Sequence, residues 1–270
     1  MQTFKWSAAA YLFAFANAFI NGASTIAPDD SSAIQRGRGI INDDLSNEEL
    51  YRSFRDTIQD YQDKAFSKLS KWKTLRQTRD GIEISMLDSE GNSPPYIRFK
   101  AEIPTTAEKV YDFTGFSNWE QFMPIINPFY KSMKVVEEWS VGKAKMFLAR
   151  KLSKRILCYG KRDFSLLSVV DTSSRDDGML VSGTLSVVSP DHIPRQSGFT
   201  RAYQDMVCFY KPLGRDQMEL TIILKTDLND SVEDEGTGGY FPMGIVVKTL
   251  GYTGPEAMRS LRKVLKTSLP

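Results

Sequence analysis

One histidine and two cysteines occur in 270 residues. A Ser-His-Asp triad must therefore use His192, and neither a multi-histidine nor a four-cysteine metal site can be assembled. No serine or cysteine nucleophile elbow surrounds His192, which lies in a proline-bounded loop, so no catalytic residue, metal or cofactor is assigned. The net charge is only +2, which gives a nucleic-acid partner no bulk electrostatic support, and none is expected. Long apolar runs are missing too. The mostly apolar stretch Ser7–Ile20 has 14 residues, short of a membrane span. It follows a single lysine, Lys5, and precedes the small residues Gly22, Ala23, Ser24 and Ala27. That is the layout of a secretory signal, expected over residues 1–27. Pro28 and Asn21 disfavour the two obvious cuts, so an uncleaved anchor or a buried helix stays open. No arginine precedes Arg36, which argues against a mitochondrial presequence. The expected location is the secretory pathway or the exterior, with an organelle-targeted route as the variant. Cys158 and Cys208 then meet an oxidising lumen, and two buried free thiols is the simpler expectation.

What is plentiful is aromatic and periodic. Sixteen Phe and eleven Tyr suit an aromatic-rich core or pocket. Residues 28–45 are polar and read as a linker before one domain over residues 46–267. Ser46 with Glu49 forms a capping box, and Leu50, Phe54, Ile58, Tyr61 and Ala65 give the helix behind it one apolar stripe. Three strand-like runs follow, at residues 72–78, 82–87 and 96–103. Thr105 with Glu108 and Ser117 with Glu120 read as two more capping boxes, each opening a short helix. Six further strands are expected at 130–139, 144–152, 164–172, 179–188, 200–211 and 217–227. Their short connections imply antiparallel neighbours. The order predicts an α+β fold with one antiparallel sheet of about nine strands, which should curl as its twist accumulates.

The end of the chain is an amphipathic helix. Met243, Val247, Leu250, Gly254, Ala257, Leu261 and Leu265 are spaced 4, 3, 4, 3, 4 and 4 apart, one helical face. Lys248, Arg259, Arg262, Lys263 and Lys266 lie opposite. Four of these, Arg259, Arg262, Lys263 and Lys266, either form a solvated face or dock anionic lipid headgroups at a membrane surface. Gly254-Pro255 predicts a kink or break within the pattern. A helix lying in a curved sheet leaves a pre-formed apolar gap, where a ligand belongs.

Three stretches carry a family likeness. Lys161-Arg162-Asp163-Phe164 is similar to a strand-opening Arg-Asp-Phe. Residues 192–202 resemble a Pro-x-x-x-Gly-x-x-Arg-Ala segment. Asp227-Leu228, Phe241-Pro242 and the helix ending Leu261-Arg262-Lys263-Val264-Leu265 resemble a C-terminal block. In this order, over about residues 47–266, they resemble the START domain, the steroidogenic-acute-regulatory-related lipid-transfer family. The resemblance implies a helix-grip fold: a curved antiparallel sheet around a long C-terminal helix, enclosing a hydrophobic cavity. It implies a tunnel for one lipid, phospholipid or sterol-like, with the last helix and the loop before it as lid. Phe164, Ser168, Ala202 and Gln204 would face that tunnel from the sheet, and Val247, Leu250, Ala257, Leu261 and Leu265 from the lid.

Departures from the pattern also matter. Sterol-binding members place an arginine where Ser168 stands, paired with an acid on the preceding strand. Around that strand this chain has Arg150, Lys151, Lys154 and Arg155 but no acid. Arg150 is instead a candidate for meeting a lipid phosphate, since a buried guanidinium needs an anion. Ala257 replaces an aromatic and widens the mouth, while an acidic insertion at 228–239 lengthens the lid loop. Arg162 and Arg201 read as strand-end ties to carboxylates, with ligand contact as the alternative. The expected protein is a monomer that binds one lipid and transfers it between membranes. A lipid sensor or scaffold without transfer is the rival, and a cavity enzyme a further one.

Overall fold

Ser46 starts the first helix with the expected reciprocal bonds. Its hydroxyl accepts from the Glu49 amide, and its own amide donates to the Glu49 carboxylate at 2.9 Å. The computed structural model describes residues 41–42, 46–67, 70–89, 94–120, 123, 130–154, 161–171, 178–227, 255–256 and 258–266. The elements are β1 (Ile41–Asn42), α1 (Asn47–Phe66), β2 (Lys73–Gln77), β3 (Glu83–Leu87), β4 (Tyr96–Ile103) and α2 (Ala107–Thr114). Then come β5 (Tyr130–Val141), β6 (Ala144–Ser153), β7 (Arg162–Asp171), β8 (Leu180–Val188), β9 (Thr200–Arg201), β10 (Tyr203–Gly214) and β11 (Gln217–Asp227). A last helix, α3, is described at 255–256 and 258–266. The signal-like segment, the linker but for β1, the acidic insertion, Val247, Leu250, Ala257 and Cys158 lie outside the described residues.

The main path of the sheet runs β2-β3-β4-β11-β10-β8-β7-β6-β5, antiparallel throughout. This is the expected α+β arrangement, with consecutive strands paired and β4 closing onto β11. Two short strands lie off the path and run parallel, β1 on β8 and β9 on β7. The expected single strand over 200–211 is thus broken at Ala202. Asp163 supplies the reason: its buried carboxylate takes the Arg201 guanidinium and the Gln196 amide, drawing Thr200 and Arg201 onto β7. Gly198, at φ 73°, makes the left-handed turn that this detour requires. The second helix is also capped one residue later than expected, by Thr106, whose hydroxyl accepts from the Lys109 amide at 3.3 Å. The Ser117 side chain lies outside what the structure describes.

Strand alternation divides the core in two. On the outer face Leu148, Leu167, Val169, Val207 and Phe209 meet the α1 stripe. There α1 crosses β8 at Gly183, where a Cβ would stand 2.6 Å from Ile58 Cδ1 and 2.7 Å from Phe54 Cζ. Glycine in that strand is what admits the helix. On the inner face Phe147, Ala149, Phe164, Leu166 and Ile222 share a cluster with Val110 and Tyr111 of α2 and with Met258, Leu261 and Leu265 of α3. Pro255 is buried and helical at the start of the described part of α3. Residues 251–254, on which the expected break depends, are outside the described set.

Candidate ligand-binding cavity

Between the inner face and the helices lies a cavity of about 570 Å³, mouth included. Thr114, Phe116, Trp119 and Met123 form one wall. The sheet supplies Ser168, Val170, Thr184, Met206, Tyr210 and Ile222 among others, and Leu261 reaches in from α3. Phe116 stacks on Phe147 at 4.9 Å, and Tyr111 meets Tyr210 edge-on at 5.3 Å, which holds the helical wall against the sheet.

The polar atoms of this lining are spent on one another. Ser168 Oγ lies 3.1 Å from the Gly183 carbonyl and 3.0 Å from Thr184 Oγ1. Tyr210 OH lies 2.8 Å from Thr114 Oγ1 and 3.0 Å from Ser182 Oγ. Trp119 Nε1 donates to the Thr114 carbonyl at 3.2 Å. What remains to face a ligand is mostly carbon and sulfur. Burial raises the Tyr210 hydroxyl well above its ordinary value and pushes the Cys208 thiol up to about 12. Among the described residues lining the cavity, no carboxylate or histidine is present and no group changes charge near neutral pH. The described lining suits apolar ligand surface.

The sheet candidates share one face but not one cavity. Ser168 and Leu261 line it directly. Phe164, Ala202, Gln204 and Leu265 are buried, at 0%, 1%, 5% and 2% exposure, on the same inner face but do not line this cavity. Arg150 falls on the outer side of β6 with Met146 and Leu148, where it donates to the Pro194 carbonyl at 2.5 Å and meets Gln196 Oε1 at 3.5 Å. The structure does not bring it to the cavity. Arg201 is tied to Asp163 and donates to the Ile193 carbonyl at 3.0 Å, a strand-end tie. His192 is exposed beside Glu137, with 3.9 Å between Nε2 and the carboxylate.

The basic side of α3 is engaged with the body of the domain. Arg259 makes a two-pronged contact with Asp80 in the β2–β3 turn, Nε and Nη2 each 2.9 Å from a carboxylate oxygen. Arg262 donates to the Glu102 carbonyl at 2.8 Å and the Asp80 carbonyl at 3.0 Å. Lys263 and Lys266 are exposed. The residue that sequence reasoning passed over is Lys151, which is 2% exposed on the inner face. Its signal was parity, for Phe147, Ala149 and Lys151 occupy successive same-side positions of β6.

Comparison with known proteins bears on the fold. The structure is similar to human StAR-related lipid transfer protein 5, with TM-score 0.62 at 19% identity over 83% of this chain and 100% of that one. It is also similar to human STARD10, with TM-score 0.58 at 16% identity over 82% of this chain and 80% of that one. A STAR-related lipid transfer protein from Xanthomonas axonopodis gives 0.53 at 15% identity, over 72% of this chain and 98% of that one. No family model matches the sequence, and no curated protein matches it. The fold is therefore the START-like helix-grip fold, and at these identities the likeness is one of fold.

Proposed function

We propose that the protein binds one lipid in the inner-face cavity and transfers it between membranes, with α3 as the lid. The carrying observation is a cavity whose polar atoms are spent internally and whose cover includes Leu261 on a helix held down mainly by side chains. The shared fold with proteins named for lipid transfer supports the same reading. About 300 Å² of apolar ligand surface at about 25 cal/mol per Å² gives on the order of 7 kcal/mol of gross stabilisation. Ordering costs lower the net value. Binding is the function here, and catalysis has no poised group in the described lining. Transfer requires α3 to lift at a surface where apolar exposure is tolerated. Exposed Lys263 and Lys266, and the two arginines once released, would meet anionic headgroups there. Reading residues 1–27 as a secretory signal, we propose the secretory pathway or the exterior as the site of this activity, with an organelle-targeted route as the variant. The test is lipid extraction by delipidated protein from vesicles of varied headgroup, followed by acceptor-vesicle delivery. Extraction with delivery supports transfer, extraction without delivery shifts the reading to a sensor, and no extraction from any composition ends it.

A further inference from the structure

Beyond the cavity, the same face of the sheet carries a buried charge. Lys151 extends over the Phe164 ring, Nζ 4.5 Å from its centroid, and donates to Gln204 Oε1 at 2.5 Å. Neither partner is an anion, and among the described residues no carboxylate bonds to Lys151. Opposite Gln204 in the β10–β11 register stands Thr226, 1% exposed, whose Oγ1 has no hydrogen-bond partner among the described residues. The Gln204 backbone is held by Ser186: its amide donates to Ser186 Oγ at 2.6 Å, and its carbonyl accepts from Ser186 Oγ at 3.0 Å.

This arrangement is incomplete as a protein interior. An ammonium has three N–H donors, and Gln204 takes one. Thr226 adds a hydroxyl. A buried ammonium without an anion either acquires one or gives up its proton. Burial alone brings Lys151 down to about 7, a charge held on the edge of loss. The Lys151–Gln204 contact and the cavity share the inner face of β10. Gln204 is two residues from the lining residue Met206 on the same side of β10, a step of about 7 Å.

We propose that this end of the inner face binds the acidic terminus of the cavity ligand, a lipid carboxylate paired with Lys151 and hydrogen-bonded by Thr226. The proposal rests on the lipid-binding reading above and narrows it to lipids with an acidic end. It also sets the polarity of the bound molecule, head toward Lys151 and tail toward Trp119 and Phe116. A carboxylate fits because its two oxygens give one acceptor to each donor.

The test compares oleate with oleyl alcohol on the delipidated full chain, with pH as the second variable. Among the described residues, the other ionisable groups on this face are Arg162 on β7, Tyr130 on β5, Cys208 and Tyr210 on β10, and Tyr111 on α2. Burial pushes Tyr130 and Cys208 up to about 12 and also holds the Tyr111 and Tyr210 hydroxyls well above their ordinary value. Among the described residues of this face, Lys151 is therefore the group brought into the range between pH 6 and 9. The wild type should bind oleate at least about tenfold tighter than the alcohol at pH 6.5. That preference should fall by up to about tenfold per unit above pH 7, as the ammonium is lost. Lys151→Met should bind both ligands within about threefold of each other at every pH, and Lys151→Arg should keep the preference without the pH slope. Thr226→Val should weaken oleate about threefold to tenfold and leave the slope.

A wild type indifferent to the carboxylate, or a Lys151→Met variant that keeps the preference and its slope, overturns the proposal. Should Lys151→Met not fold, the wild-type pH slope and Thr226→Val decide. Phospholipid extracted from mixed vesicles while oleate and the alcohol fail to bind overturns the acidic end but leaves lipid binding standing. No binding of any lipid removes both.

Discussion

Asp80→Ala tests whether the tie between α3 and the β2–β3 turn governs how long the helix stays down. In the structure Arg259 grips both carboxylate oxygens at 2.9 Å, and Arg262 adds a weaker contact at 3.4 Å. The Arg259 and Asp80 side chains are 42% and 41% exposed, so solvent screens most of the Coulomb energy. Two-pronged geometry places the pair near the upper end for surface contacts, and the whole tie is worth about 1 kcal/mol. That corresponds to about a fivefold shift in the opening equilibrium. The Arg262 bond to the Glu102 carbonyl survives the substitution, which keeps the helix from detaching outright. Hydrogen exchange at residues 258–266 should accelerate about fivefold, ligand release by a similar factor, and 0.5 M salt should shrink both differences. The pH sign is fixed by the same contacts. Arg259, and then Thr78, hold the Asp80 carboxyl well below the ordinary carboxylate range. A depressed carboxyl contributes stability above its ordinary value and loses it only as pH falls through the depressed one. The variant should therefore differ from wild type equally at pH 7.5 and pH 5. Unchanged exchange at 258–266 would show that apolar contacts alone seat the helix, and an effect present only at pH 7.5 would refute the electrostatic account.

Gly183→Ala forces Ile58 and Phe54 to move and should cost about 1–3 kcal/mol, read as a Tm loss of roughly 3–10 °C; an unchanged Tm denies the close approach of α1. Met206→Trp fills the cavity from the sheet side and should cut lipid loading at least about tenfold while urea unfolding changes by less than about 2 kcal/mol; full loading would place the ligand elsewhere. Asp163→Asn strips the buried Arg201 of its anion and should cost about 3–5 kcal/mol in urea denaturation, and a loss under 1 kcal/mol would mean the tie is not what holds β9 on β7. Cys208, buried and raised to about 12, should react with a thiol reagent only through unfolding in a Cys158→Ser background; rapid native labelling would contradict its burial.

Most of the sheet was legible because alternation and turn residues agree along it. The strands expected at 96–103 and 217–227 coincide with β4 and β11. The α1 stripe was legible for the same reason, with Leu50, Phe54, Ile58, Tyr61 and Ala65 all buried. The failures have a common cause, contacts between distant parts of the chain. The break at Ala202 depends on a carboxylate 38 positions away from Arg201, and no local pattern reports it. The sequence points to Arg150 as the cation facing a ligand, but of the two adjacent cations Lys151 is the one on the inner face. A one-residue difference in a strand decides which side of the sheet a charge occupies, and for two adjacent cations composition says nothing about which.

The two faces of the sheet treat charge differently, and the contrast bears on function. On the outer face Arg201 has Asp163, Arg98 has Glu83 at 2.7 Å, and Asp205 receives the Tyr61 hydroxyl at 3.0 Å. Those pairings hold α1, the 189–199 loop and the sheet together. On the inner face the hydroxyls of the cavity are matched within the protein, while Lys151 rests on an amide and a ring. A fold concerned only with stability gains nothing from a buried lysine there, since an apolar side chain of similar length would avoid its desolvation. The position makes sense when a bound molecule completes it. For that reason Lys151→Met should raise the stability of the empty protein in urea while removing the preference for an acidic lipid. A variant that loses both would assign Lys151 to the framework instead.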